Sequence, residues 1–147
     1  MNRNYEFSER SQGFINGTHT IMQRLCKEAL FIANTRKMHC PDFGISRGRS
    51  STEDQLALYA KGRTAPGAIV TNCDGVKNRS VHQDALAIDF YGYVNGKADY
   101  SDGVIALIAT CFMEAASNLR INIDWGGSFK SISDGAHIEV ILWEEPN

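Results

Sequence analysis

Apolar residues recur at helical spacing early in the chain. Ile21, Leu25, Ala29 and Ile32 fall on one side of a segment whose other side carries Gln23, Arg24, Lys27 and Glu28. This repeat predicts an amphipathic helix from about Thr20 to Ala33, and Pro41 bars its continuation. Phe43-Gly44-Ile45-Ser46 reads as a short strand entering a polar turn. A second helix is predicted from near Ser51. There Ser51 with Asp54, or Ser50 with Glu53, offers a hydroxyl and a carboxylate to free backbone N–H groups. Leu56, Tyr59 and Ala60 face inward before Gly62 ends it. From Arg63 to Ser80 the chain is loop-like, punctuated by Pro66-Gly67, Asp74-Gly75 and Asn78. Leu86 to Tyr91 reads as a strand. Asn95-Gly96 predicts a hairpin turn between Tyr91-Gly92-Tyr93 and Lys97-Ala98-Asp99-Tyr100. A third helix is predicted from Asp102, taken as its N-cap, to Asn118, with Val104, Leu107, Ile108, Cys111 and Phe112 on one face. Asn122 to Trp125 and His137 to Leu142 complete the pattern as strands. Helices interspersed with strands that can pair antiparallel predict an α+β fold: one small domain over 1–147, an antiparallel-rich sheet flanked by helices.

Composition narrows the function. The 147 residues are 43% hydrophobic and 22% charged, as in an ordinary globular domain with a core of its own. A formal net charge of −2, with no dense Lys/Arg run, supplies no general attraction to nucleic acid or an anionic membrane. The longest apolar stretch, around Val104 to Ala109, is too short to span a bilayer. Met1 to Asn16 has no apolar core of a secretory signal, so the expected location is the cytoplasm of the producing cell. Cys26, Cys40, Cys73 and Cys111 form no CxxC pair and are expected as free thiols. A monomer is expected.

Two stretches carry chemistry. In Ser80-Val81-His82-Gln83-Asp84-Ala85-Leu86-Ala87-Ile88-Asp89, a His ends a polar loop and an Asp sits inside an apolar strand, between Ile88 and Phe90. A buried carboxylate is costly unless paired or metal-bound, so Asp89 requires a partner. In Ser133-Asp134-Gly135-Ala136-His137-Ile138-Glu139-Val140, a second His opens another apolar strand. Two imidazoles and a carboxylate suit a catalytic zinc with a fourth position for water. Asp134 is then the candidate proton acceptor. Taken singly, each residue also fits a structural role: a His at a strand start, an Asp before a Gly turn. Spacing alone does not bring the two stretches together.

The same residues resemble a known family. Ser80-x-His82-x-x-Ala85-x-Ala87-x-Asp89 is similar to the Ser-x-His-x-x-Gly-x-Ala-x-Asp signature of D-Ala-D-Ala carboxypeptidase/VanY-type zinc peptidases, and Asp134-x-x-His137 resembles their second motif. The likeness is strongest to L-alanyl-D-glutamate endopeptidases, which include phage endolysins. It extends to Phe7-Ser8-Glu9-Arg10-Ser11, to Leu58 through Gly67, to Ile69-Val70-Thr71-Asn72 and to Trp125-Gly126-Gly127. The resemblance implies a hedgehog/DD-peptidase-like fold, zinc on His82, Asp89 and His137, and Asp134 as catalytic base. It also implies a peptidoglycan stem peptide as substrate and release to the cell wall at lysis. The family carries a substrate-binding Arg in a Gly-x-Arg-Ser/Thr turn, where this chain reads Ser46-Arg47-Gly48-Arg49-Ser50-Ser51. Counting back from Gln55 puts Ser50 at the Arg position, one residue out of register. Arg49 is assigned the role, with Arg47 as the alternative. Ala85 replaces the signature Gly, which strains the backbone if that position needs a positive φ. Two other functions fit the same residues: a D-Ala-D-Ala carboxypeptidase or dipeptidase, and a zinc-bearing domain that binds wall peptide without cutting it.

Overall fold

The computed structural model describes residues 4–128 and 135–142. Four α-helices and five strands follow the order α1 (Glu9–Asn16), α2 (Thr20–Thr35), β1 (Asp42–Arg47), α3 (Thr52–Ala60), β2 (Ala87–Val94), β3 (Lys97–Asp99), α4 (Asp102–Leu119), β4 (Asn122–Trp125) and β5 (His137–Ile141). A 3-10 turn, Val81–Asp84, immediately precedes β2. The strands form one antiparallel sheet ordered β1-β2-β5-β4, with β3 hairpinned onto the far end of β2. The fold is the α+β architecture that the hydrophobic pattern predicts.

Alternation along β2 decides what each face does. Ile88 and Phe90 are fully buried, whereas Asp89, Tyr91 and Tyr93 point the other way. Ile138 and Val140 of β5, with Phe43 and Ile45 of β1, join the buried face. Against it lie α2, through Met22, Leu25, Cys26 and Ala29, and α4, through Ile105, Ile108, Ala109 and Phe112. Phe112 meets Phe43 and Phe90 with ring centroids 5.5 Å apart in each pair. Gly92 lets α4 approach β2 directly, since a Cβ there would sit 2.2 Å from Val104 Cγ1. By length and composition α4 could cross a membrane, but its inner side is committed to this core. Its N-cap is Ser101, and Asp102 is instead the acid of the first turn.

Helix starts show how local sequence chose these elements. Ser51 and Asp54 form the reciprocal capping box that the sequence predicts for α3. α1 was not foreseen: Ser8 caps it by accepting from Ser11 N–H, and its Ser11 and Ile15 are buried against neighbouring elements. His19 caps α2 by accepting the Ile21 N–H at Nδ1. The four cysteines are free thiols, and Cys40 and Cys111 face each other with 3.4 Å between sulfurs. Burial pushes the Cys26 thiol up to about 12, which makes it unreactive at neutral pH.

Ala85 closes the 3-10 turn in the left-handed region, at φ 61° and ψ 24°. The conformation is held from both sides. Its N–H donates to the His82 carbonyl at 3.1 Å, and its carbonyl accepts from His19 N–H at 2.9 Å. A Cβ in this region costs about 1–2 kcal/mol, part of which glycine gives back through a more flexible unfolded chain. Ala85→Gly is therefore expected to stabilise the fold by about 0.5–1 kcal/mol and raise Tm by a few degrees. Thermal unfolding of the two proteins side by side checks this, and an unchanged or lower Tm counts against strain at this turn.

Candidate metal centre

The side of the sheet facing away from the main core carries the chemistry. Asp89 on β2 pairs with His137 on β5 and with Arg47 on β1, so the three form one row across adjacent strands. His137 follows from the period of two: with Ile138 and Val140 buried in the core, His137 and Glu139 share the opposite face. Arg47 reaches this face through an irregularity. A bulge between Ile45 and Arg47 adds Ser46 to the strand and turns Arg47 to the side that alternation alone would deny it. His82 comes from outside the sheet, on the 3-10 turn that Ser80 starts by accepting the His82 N–H.

His82 Nε2, His137 Nδ1 and Asp89 Oδ1 converge. Their separations are 3.2 Å for His82–Asp89, 3.1 Å for His137–Asp89 and 3.3 Å for the two imidazoles. The other ring nitrogens fix the protonation. His82 Nδ1 lies 2.8 Å from the Gly48 carbonyl, which can only accept, so that nitrogen carries the proton. His137 Nε2 lies 3.2 Å from the Glu139 carboxylate and donates to it. Both inward nitrogens therefore present lone pairs to a carboxylate oxygen. Three electron-rich atoms held this way need a cation between them.

The spacing suits a metal ion better than a shared proton. Charge-assisted N–H···O bonds contract to about 2.7–2.9 Å, shorter than any edge of this triangle. Donors about 2.0–2.1 Å from one ion at tetrahedral angles lie about 3.3 Å apart. His82, Asp89 and His137 can thus hold a metal ion, and their donor atoms all lie within 4.8 Å of one another. Both histidines are buried, and the Asp89 side chain is 23% exposed, which leaves one open side. Burial disfavours ionisation of Asp89, but positive charge on the inward side outweighs it: His137 and His82, when protonated there, hold the carboxyl well below the usual range.

The surroundings are built to keep these groups still. Gly48 is pinned where a Cβ would come within 2.5 Å of the Phe14 carbonyl, so α1 sets the position of the carbonyl that orients His82. Ser50 N–H donates to the His82 carbonyl at 3.0 Å, and the Ser50 hydroxyl accepts from Arg47 Nε at 3.0 Å and Nη2 at 2.7 Å. Arg47 Nη2 also donates to Gln55 Oε1 at 3.0 Å, while Nη1 lies 3.8 Å from Asp89 Oδ2. Gln55 is buried and ties this arginine to the long loop through the Cys73 carbonyl, at 2.7 Å. Gln83 does the same for the His82 turn through the Gly75 carbonyl, at 3.0 Å. On the far side, Trp125 Nε1 donates to the Gly135 carbonyl at 2.6 Å, just ahead of His137. The Trp125 indole packs on Gly127, where a Cβ would lie 2.4 Å from it.

The structure thus brings His82, Asp89 and His137 together with Arg47. Arg49 is exposed and lines a surface cleft with Phe14, Asp54 and Leu58. Asp134 lies outside the described residues. Glu139, Gly48, Ser50 and Gln55 have roles that the sequence reading did not assign. Glu139 alone had a local signal, a His-x-Glu on one strand face.

The chain is similar to known proteins. The model of the family described as phage L-alanyl-D-glutamate peptidase matches residues 3–141. The peptidoglycan L-alanyl-D-glutamate endopeptidase CwlK of Bacillus subtilis (strain 168) is 34% identical over 115 residues, which cover 68% of this chain and 61% of that protein. The chain thus spans about three fifths of that relative's length. In fold it is similar to the crystal structure of Serratia marcescens L-Ala D-Glu endopeptidase ChiX, with a TM-score of 0.74 and 24% identity over 95% of this chain and 92% of that one. With its whole described sheet inside the matched span, the chain belongs to the phage L-alanyl-D-glutamate peptidase family.

Proposed function

We propose that this protein is a zinc peptidase that hydrolyses the L-Ala–D-Glu bond of peptidoglycan stem peptides. The observation that carries the reading is the convergence of two imidazole lone pairs and the Asp89 carboxylate, each backed by a fixed second partner. Neutral nitrogen and carboxylate oxygen in a three-donor set suit zinc, and the open side leaves room for water and substrate. Zinc held there supplies Lewis acidity toward the scissile carbonyl and a water acidic enough to deprotonate near neutral pH. Similarity to L-alanyl-D-glutamate peptidases favours this bond over D-Ala-D-Ala.

Each protein group then has a task. His82 and His137 keep their lone pairs inward because Gly48 and Glu139 hold their outward protons. Asp134, three residues before His137, takes the proton from the attacking water and passes it to the leaving amine of D-Glu. Arg47 stabilises the charge that builds on the carbonyl oxygen. It takes this role in place of Arg49 because Ser50 and Gln55 hold its Nε and Nη2, leaving the two Nη1 hydrogens toward the Asp89 side. The guanidinium is fixed before substrate arrives, so little reorganisation is needed when charge develops.

Four outcomes are expected. Digestion of purified walls should free N-terminal D-Glu, read by mass analysis; released D-Ala would instead identify a carboxypeptidase. Metal analysis should give about one zinc per chain, lost in His82→Ala along with lysis of the walls; zinc without any wall cleavage would point to a binding domain. Asp134→Ala should retain zinc and lose lysis, and full activity in that variant would falsify its role as base. Finally, Arg47→Ala should lower kcat about 100-fold or more while Arg49→Ala stays within about threefold of the parent, both with zinc retained. Equal losses in the two variants would remove Arg47 from the oxyanion role.

A further inference from the structure

The face that presents Asp89 continues along β2 as Tyr91 and Tyr93, two and four residues on. A strand rises about 3.3 Å per residue, which places them about 7 and 13 Å from Asp89. Tyr91 lies across Gly44 of β1, where a Cβ would meet its hydroxyl oxygen at 2.4 Å and its ring at 2.5 Å, and its centroid is 6.3 Å from that of Tyr100. Tyr93 is 48% exposed. A cleft of about 320 Å³ opens beside the two tyrosines, walled by Gly44 and Asp42 of β1 and by Glu6 and Ser8 ahead of α1. It combines two aromatic surfaces with acceptor side chains and contains no Lys or Arg.

Resting on the peptidoglycan reading above, we propose that this cleft is a sugar subsite that takes the N-acetylmuramyl ring attached to the stem peptide. Three features select that ligand. An aromatic face packs against the C–H face of a pyranose, while the tyrosine hydroxyls stay wet. Carboxylates of Asp42 and Glu6 accept from sugar hydroxyls. The length also agrees. In peptidoglycan the lactyl acid of the muramyl ring is amide-linked to L-Ala, so the scissile carbonyl and the ring are separated by about six bonds, or about 7 Å when extended. That is the step from Asp89 to Tyr91.

The subsite sets the direction of the substrate. From Asp89, β2 runs one way to the tyrosines and the other way to the 3-10 turn and the loop it anchors through Gln83 and Gly75. Residues 61–80 carry Lys61, Arg63, Lys77 and Arg79 against Asp74 alone. The neutral sugar end lies over the tyrosines, and the acidic D-Glu end points toward the basic loop. The protein then prefers stem peptides still attached to glycan over peptides already released from it.

The test uses the zinc-loaded full chain and two substrates of equal peptide sequence, with and without the N-acetylmuramyl group. The parent should show kcat/KM about tenfold higher for the muramyl form. Tyr93→Ala and Asp42→Asn should remove most of that advantage through KM and leave turnover of the bare peptide unchanged. Equal rates of the parent on both substrates, or equal losses on both in the variants, overturn the subsite. Calorimetric binding of N-acetylmuramyl-L-alanine separates this outcome from failure of the endopeptidase reading. If neither substrate is cut, that reading falls, yet the subsite stands if the parent binds the muramyl ligand and the two variants bind it about tenfold more weakly; unchanged binding overturns it.

Discussion

A carboxylate in the middle strand of the sheet governs this structure. Asp89 is flanked by Ile88 and Phe90, both sealed in the core, so it cannot leave its place without dragging β2 out of register. Its charge has to be met where it stands. The neighbouring strands answer with Arg47 on one side and His137 on the other, and the 3-10 turn supplies His82. Removing any of these leaves a partly buried charge short of partners, which is costly. The rigidity of the site is thus inherited from the hydrophobic face beneath it, since the side chains that alternate with the donors are the ones α2 and α4 cover.

The network outward from this row explains why loops take part. The Ser50 backbone and hydroxyl join the His82 turn to Arg47, and Gln55 and Gln83 fasten the loop over residues 71–75 to the same two elements. A buried glutamine satisfies backbone groups in a segment that has no ladder of its own. The site is therefore a set of sheet positions completed by two amide side chains.

Much of this was legible in the residue pattern, and the exceptions have physical causes. The Ser51–Asp54 box, the Asn95-Gly96 turn and the alternation through β2 and β5 are local rules, so α3, the hairpin and the position of His137 followed from sequence. Asp89 stands out in the sequence because a carboxylate between two core residues has few explanations, but its union with His82 and His137 rests there on the family resemblance, since spacing alone does not join the two stretches. α1 escaped notice because its buried residues, Ser11 and Ile15, are few and one is polar. Arg49 ranks above Arg47 on a count back from Gln55, and such a count carries no information about the bulge at Ser46, which turns the Arg47 guanidinium toward Asp89. The Gly48 and Gln55 contacts join segments far apart in sequence, and no local pattern announces them. Ala85 was read as a possible source of strain, and its backbone is in the left-handed region.

The two imidazoles are oriented by groups of different kinds. His137 leans on a side chain, Glu139, which a single base change can delete. His82 leans on the main-chain carbonyl of Gly48, which every amino acid possesses. Half of the support around the centre is thus written in side-chain identity and half in the path of the chain. Substitution can erode the first gradually. The second yields only to an insertion, a deletion or a Cβ at residue 48 that forces α1 away, so this half of the site is inherited with the fold or lost with it.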